Sequence, residues 1–271
     1  MLSIVGRTIS RTGRSAIDRG ANFVEMGHLF VSTLGILMRP SWSSIMAIFS
    51  QFSRQMLYTG VEAMGLVSAI ACVAGSTIIM QAMANMPKFG VSEYFGNILV
   101  IVVVQELGPL LTAIVVIGRS GSALAAHIGT MRVNKEVSAL EVMGIDPVYF
   151  LVMPALAGMV GSMICLNVYF DMVAIIGGLC VASLTVDIPF SIFLLKVLDA
   201  LSWIDIVISA FKSTVFGVII AIVSCHYGLK VASIRGVPQA AIRSVVGSMS
   251  GIIIISVVIT ICMVMGGFYA R

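Results

Sequence analysis

Charge is the scarcest thing in this chain. Asp, Glu, Lys and Arg make up 10% of its 271 residues, against 59% hydrophobic, whereas soluble domains run near 25% charged. A soluble enzyme or binding module is excluded, and no nucleic acid is expected as a partner. Cysteine spacing is absent too. Cys72, Cys165, Cys180, Cys225 and Cys262 sit in apolar runs without a CxxC pair, so packing is their expected role rather than a metal or a disulfide. His28, His127 and His226 stand far apart and suggest no metal cluster. No G-x-x-x-x-G-K-[ST], HExxH or G-x-S-x-G occurs, and the nearest Lys-Ser pair, Lys212-Ser213, follows Ala-Phe inside an apolar run. The chain is therefore expected to hold no catalytic residue, metal or cofactor of its own and to draw any energy from a partner. The arginine-dotted start has no compact apolar core, so a cleavable signal peptide is not expected either.

What the chain has instead is apolar length. A membrane-crossing helix needs about 20 predominantly apolar residues, and five runs qualify: roughly 56–83, 92–118, 148–181, 204–227 and 244–268. The expected class is an all-α membrane protein with about five transmembrane helices. The third run is too long for one straight helix and predicts an irregular turn near Gly177-Gly178. Arg7, Arg11, Arg14, Arg19, Arg39 and Arg54 precede the first run. Arg119, Arg132 and Lys135 follow the second, and Lys230, Arg235 and Arg243 the fourth. Lys88, Lys196 and Arg271 fall on the opposite side, a bias of twelve to three, with Lys212 inside a span. The positive-inside rule then places the N-terminus and both charged loops in the cytoplasm and the C-terminus outside.

Residues 1–53 interleave arginines with apolar stripes (Ile4, Ile9, Ile17, then Phe23, Met26, Phe30, Leu34, Leu37). This predicts an N-terminal amphipathic helix lying in the interface, its cations toward anionic headgroups. Residues 54–271 form the transmembrane domain. Small residues recur within the runs (Gly60 and Gly65, Gly158 and Gly161, Gly217, Gly247 and Gly251) at spacings that let helix backbones approach in lipid.

One polar island interrupts this, Glu106 to Pro147. It predicts a docking place for a soluble partner at the membrane face. Glu106 lies within an apolar span, and such carboxylates face a protein interior, a cavity or a partner charge. It either lines a substrate cavity or pairs structurally within the bundle. Pro109 removes a backbone donor beside it. Lys212, in the run 206–222, either snorkels to an interface or pairs with a carboxylate. The second span is expected to end in the knot Gly118-Arg119-Ser120-Gly121-Ser122. Beyond it, Ile128, Met131, Val133, Val137 and Leu140 make a stripe, with Arg132, Lys135 and Glu136 mostly off it, which suits a short helix along the membrane over 128–143. Asp146-Pro147 is expected to stop that helix. It is either an ordinary interfacial loop helix or the element through which a permease receives force from an ATPase.

Five sets of residues carry a resemblance to a known family. They are Arg54-Gln55-x-x-Tyr58-x-Gly60, Glu106-Leu-Gly-Pro, Gly118-Arg119-Ser120-Gly121-Ser122-Ala123, Ile128-Gly129-x-Met131-Arg132 with Glu141-x-Met143-x-x-Asp146-Pro147, and Lys212-Ser-x-Val-Phe216. Over about 50–265 the chain resembles the MlaE (YrbE) family of ABC-transporter permeases. The resemblance implies a homodimer bound to a cytoplasmic ATPase dimer, which binds the ATP. It also implies a periplasmic hexamer of MCE-domain proteins and a small STAS-domain protein as partners. The implied task is moving phospholipid or a related lipid between the bacterial inner membrane and that ring, in support of outer-membrane lipid asymmetry. It further implies that 128–143 is the coupling helix, with Met131, Arg132, Lys135, Glu136, Leu140, Glu141, Met143 and Asp146 toward the ATPase. Glu106 and Lys212, with Pro109 and Tyr58, would lie along the lipid path. Three positions depart from the family pattern. His127 replaces a usual carboxylate, Ala155 a common Arg, and Ser256 a usual Asp. Two rival classes are a secondary transporter, which would show an inverted repeat, and an intramembrane lipid-modifying enzyme, which would need a His or Ser/Asp constellation. The sequence offers neither.

Overall fold

The computed structural model describes residues 60–89, 100–185, 195 and 197–266. Tyr58, the N-terminal segment and the C-terminal residues 267–271 lie outside the described residues. Among those described there is no strand, and five helices are long and apolar enough to cross a membrane. We label the helices in chain order. α1 is Met64–Phe89, entered by a tight turn at Val61–Ala63. α2 runs Val100–Val133. α3 is Glu136–Val142, α4 is Met153–Thr185, α5 is Trp203–Leu229 and α6 is Val237–Met265.

The winding of α2 follows from its proline and glycines. Val100–Leu107 is wound as a wide π turn that gives way to α geometry at Gly108–Val116. Pro109 sits at the join, and its missing N–H leaves a carbonyl of the preceding turn without its usual donor. The same arrangement recurs where Val148–Val152 winds wide just ahead of Pro154. A third wide turn, Ile117–Gly121, is the glycine/serine knot. It does not end the span as expected: α2 continues through it to Val133. Gly121 lets α5 approach closely there, with Ile220 Cγ2 only 3.1 Å from where a Cβ would stand.

The expected single helix over 128–143 is two helices. Asn134 closes α2, and Lys135 takes the left-handed conformation (φ 61°) that breaks the path before α3. Asn134 Nδ2 donates to Glu136 Oε1 at 3.2 Å across the break. α3 then stops before Asp146-Pro147 is reached. Gly144 at φ 74° donates to Glu141 O, and Ile145 N donates to Leu140 O, both at 3.0 Å. That is the paired hydrogen bonding of a glycine-terminated helix. Asp146 instead helps to start the next helix, its Oδ1 accepting from Val148 N at 2.9 Å.

The irregular turn expected at Gly177-Gly178 is also absent, since α4 runs unbroken to Thr185. Those glycines serve helix contact. A Cβ on Gly177 would lie 2.9 Å from Cys72 Sγ, and one on Gly178 would collide with Ile79. On the facing helix, a Cβ on Gly75 would strike the backbone of Ala174. α1 and α4 thus cross through small residues, where van der Waals packing holds helices together in lipid.

α5 is the centre of the bundle and packs on α2, α4 and α6. Its start is fixed by a reciprocal cap: Ser202 Oγ accepts from Ile204 N, and Asp205 Oδ2 accepts from Ser202 N at 2.8 Å. Phe170, Met163 and Leu166 of α4 and Phe216 and Ile220 of α5 are fully buried. α6 begins earlier than its apolar run suggested, at Val237, so Arg243 lies on the helix rather than in the loop. Ile253, Ile254, Val257, Val258 and Ile261 remain exposed along α6, as a lipid-facing surface requires.

Candidate functional site

α5 carries a row of polar side chains at helical spacing, Asp205, Ser209 and Lys212, and each reaches a different neighbour. Gln105 Nε2 of α2 donates to Asp205 Oδ1 at 2.5 Å. Asn167 Nδ2 of α4 donates to Ser209 Oγ at 2.7 Å. Lys212 Nζ donates to Glu106 Oε1 at 2.6 Å and to Thr260 Oγ1 of α6 at 3.1 Å. Thr260 Oγ1 in turn donates to Glu106 Oε1 and Oε2, at 3.1 and 3.3 Å. One ammonium, one hydroxyl and one carboxylate therefore tie α2, α5 and α6 together within the apolar bundle.

Of the alternatives for Lys212, the geometry shows pairing with a carboxylate, that of Glu106. Lys212 does not snorkel: its side chain is 1% exposed, whereas that of Glu106 is 29% exposed. The ammonium is sealed inside, and the carboxylate shields it from a more open side. Removal of the carboxylate would present a buried positive charge to that opening. Pro109 is buried beside the pair and shapes the wide turn that carries Glu106. Tyr58 lies outside the described residues.

Thr260 gave no sequence signal, since a threonine is unremarkable in an apolar helix. Ser256, which stands where the family carries Asp, is buried one turn away on the same helix, and Thr260 supplies the contact to the pair. Ala155 is buried at the start of α4, where an arginine would have needed a partner. His127 is exposed on α2. Asp171 and Asn167 of α4 were missed altogether. Asp171 carried the same signal as Glu106, a carboxylate in an apolar run. Its Oδ1 is buried against Gly108, where a Cβ would collide with it.

The residues proposed to face an ATPase gather at the opposite end of the bundle, around the hairpin of α2 and α3. Met131, Arg132 and Leu140 are half-buried, and Lys135, Glu136, Glu141, Met143 and Asp146 are exposed. Arg132 Nη1 lies 3.6 Å from Glu141 Oε1, joining the two helices across the break. Val137 is buried and anchors α3. The apex leaves Val142, Met143 and Ile145 exposed, Val142 at 89%. Among the described residues no group of three His, Cys, Asp or Glu side chains is suited to hold a metal.

The comparisons with known proteins extend over both ends of this bundle. A family model described as Permease MlaE matches residues 52–262, which takes in α1 to α5 whole and α6 up to its last three residues. A probable ABC transporter permease protein of Rickettsia prowazekii (strain Madrid E) is 31% identical over 238 residues, 85% of this chain and 92% of that protein. One from Synechocystis sp. is 35% identical over 201 residues, 74% of this chain and 76% of that one. The chloroplastic protein TRIGALACTOSYLDIACYLGLYCEROL 1 of Arabidopsis thaliana is 31% identical over 212 residues, 76% of this chain and 59% of that protein. With the match spanning the charged pair, the α2–α3 hairpin and the helices between them, this chain belongs to the MlaE family of ABC-transporter permeases.

Proposed function

We propose that this permease moves phospholipid or a related lipid across one face of the bacterial inner membrane, and that the Glu106–Lys212–Thr260 group is the gate on its path. The observation that carries the reading is the asymmetry of the pair: a sealed ammonium behind a partly open carboxylate. A lipid phosphate arriving from the open side competes with Glu106 for Lys212 and Thr260. Exchanging one anion for another leaves the buried charge compensated throughout, which a buried ammonium requires. The group ties three helices, so its opening and closing moves α2, α5 and α6 relative to one another. The name of the Arabidopsis relative, which contains a galactosylated diacylglycerol, agrees with a lipid substrate.

The twelve-to-three bias of basic residues orients the chain with its N-terminus and the α2–α3 hairpin in the cytoplasm and its C-terminus in the periplasm. In that orientation the charged pair lies in the periplasmic half of the bundle. The exposed apex of Val142, Met143 and Ile145 with its rim of Lys135, Glu136 and Glu141 is a surface of the kind that seats in a groove of a cytoplasmic ATPase. We assign the other partners by the same family reading: a second copy of this chain, a periplasmic MCE-domain hexamer and a small STAS-domain protein. The task would then be the maintenance of outer-membrane lipid asymmetry. Reconstitution of the permease with its ATPase and MCE partners tests this. ATP-dependent transfer of labelled phospholipid between vesicles and the MCE protein is expected. Its absence with an assembled, ATP-hydrolysing complex would overturn the lipid reading.

A further inference from the structure

The start of α6 carries two cations without a counter-charge among the described residues. From Ile206 to Arg271 the sequence has no Asp or Glu. Arg132 has Glu141, but neither Arg235 nor Arg243 meets a carboxylate among the described residues. Both are exposed, Arg235 on the tight turn Ile234–Gly236 that leads into α6 and Arg243 on the helix itself. Steps of four residues keep side chains on one helix face, so Arg235, Gln239 and Arg243 form a row, and Gln239 is exposed as well. The face continues through Val246, Ile253 and Val257, all exposed. The other side of the helix, with Ala240, Ser244, Ser248 and Ile252, is buried in the bundle. One outward face thus begins cationic and continues apolar. Residues 244–265 carry no charge and can cross the hydrocarbon by themselves, which takes about 20 residues. Arg243 therefore stands at the edge of the hydrocarbon. Arg235, about 12 Å earlier along the axis, stands at the outer side of the headgroup layer.

We infer that this face binds an anionic phospholipid of the cytoplasmic leaflet, its phosphate between Arg235 and Arg243 and one acyl chain along Val246, Ile253 and Val257. The leaflet rests on the orientation given above; the lipid class does not depend on the transport reading. A guanidinium suits a phosphate because its N–H donors can bond two oxygens at once. Arg243 reaches outward along its aliphatic stem and Arg235 inward, so both meet the headgroup layer near Gln239, whose amide adds a donor. Two guanidiniums against one phosphate leave a surplus positive charge. A headgroup that brings an ammonium adds a third cation and is disfavoured. Other occupants fit the face less well. An ATPase lies beyond the headgroups and does not reach Arg243 at the hydrocarbon edge. In a dimer with its twofold axis along the membrane normal, equal residues meet at equal depth, so Arg235 and Arg243 would face their own copies and repel. The site is distinct from the Glu106–Lys212–Thr260 group, since Thr260 lies about 25 Å further along α6 than Arg243.

Lipid retention with headgroup charge varied and acyl chains held constant tests this. The full chain is purified with its ATPase from vesicles of equal parts phosphatidylglycerol, phosphatidylethanolamine and phosphatidylcholine. Bound lipid is then counted by mass spectrometry at low and high salt. Phosphatidylglycerol should be retained about tenfold over either zwitterionic lipid, the scale of one charge-assisted hydrogen bond. The preference should shrink as salt rises. Arg235→Gln combined with Arg243→Gln should abolish it. Arg235→Lys combined with Arg243→Lys should keep part of it, because the charge stays and the paired donors go. All four substitutions fall on exposed side chains, so the variants should fold. Equal retention of the three lipids by the wild type would overturn the inference. A preference that survives the double Gln variant also overturns it, because the lipid is then held elsewhere on the bundle. If that variant loses the ATPase and keeps its lipid preference, the arginines belong to the ATPase interface instead. Displacement of the lipid by free glycerol 3-phosphate overturns the membrane as the source of the phosphate. Retention is measured without ATP, so its failure is distinct from a failure of ATP-dependent transfer.

Discussion

Lys212 and Glu106 differ in how far their surroundings can reach them, and that decides what each substitution does. Glu106→Gln leaves a fully buried ammonium with only neutral partners, and breaking a buried pair this way costs about 3–5 kcal/mol. Lys212→Met removes the buried charge and leaves a carboxylate that is partly open and still bonded to Thr260, so it should cost less. The double variant should recover most of the stability that Glu106→Gln alone loses, yet remain without lipid transfer. Thermal unfolding of the purified complexes, read beside the transfer assay, checks this. Equal destabilisation by both single variants would remove the asymmetry on which the gate rests. Both residues were legible in the sequence because a charge in an apolar run is costly and so rarely idle. Their pairing was not, because 106 positions separate them and no local rule says which faces of two distant helices meet. Thr260 was silent because a hydroxyl can bond its own helix and needs no partner. Asp171 was legible by the same rule as Glu106 and was overlooked.

Glycines act in this fold at the scale of the helix pair, where one atom decides whether two helices can touch. Gly75→Val places a side chain into the backbone of Ala174, which cannot move aside as a flexible side chain would. Overpacking of this kind costs about 1–3 kcal/mol, and α1 holds to the bundle mainly through α4. A lower melting temperature and a protease-sensitive α1 are expected, while Gly65→Val, with open space around it, should leave both unchanged. The same reasoning explains why the glycine pairs misled the sequence reading. Gly177-Gly178 looks like a turn when read locally, and only the presence of Cys72 and Ile79 across the crossing makes it a contact. The short helix was partly legible: its apolar anchor Val137 is buried as the stripe implied. Its break was not, because a left-handed lysine carries no mark of its own; Asn134 was the nearest sign. At the apex, Met143→Asp changes an exposed side chain, so the permease should fold normally. Co-purification of the ATPase should fall at least tenfold if an unpaired charge is carried into an apolar contact. Undiminished co-purification would remove the apex from the ATPase interface.

At the scale of the whole molecule, the number of membrane-capable helices was legible because apolar length is a property of composition, independent of how the helices pack. Orientation is a different kind of quantity. It depends on which end of the bundle faces the cytoplasm, and the helices by themselves would stand equally well inverted. The distribution of basic residues breaks that symmetry, and the two ends of the fold then acquire different tasks. In the proposed orientation the end with the α2–α3 hairpin would meet the ATPase, and the end with Glu106, Lys212 and Asp171 would face the periplasm. Two exposed positions mark these ends, Val142 at the hairpin apex and Asp199 just ahead of α5. In intact spheroplasts, Asp199→Cys should react with a charged, membrane-impermeant thiol reagent, and Val142→Cys only after the membrane is opened. The native Cys72, Cys165, Cys180 and Cys262 are exposed on apolar helices and so face lipid, where such a reagent does not partition. If Val142→Cys reacts from outside, the hairpin cannot meet a cytoplasmic ATPase and the gate belongs to the cytoplasmic half. The direction of every step proposed for the lipid would then reverse, because the sealed ammonium would meet headgroups arriving from the other leaflet.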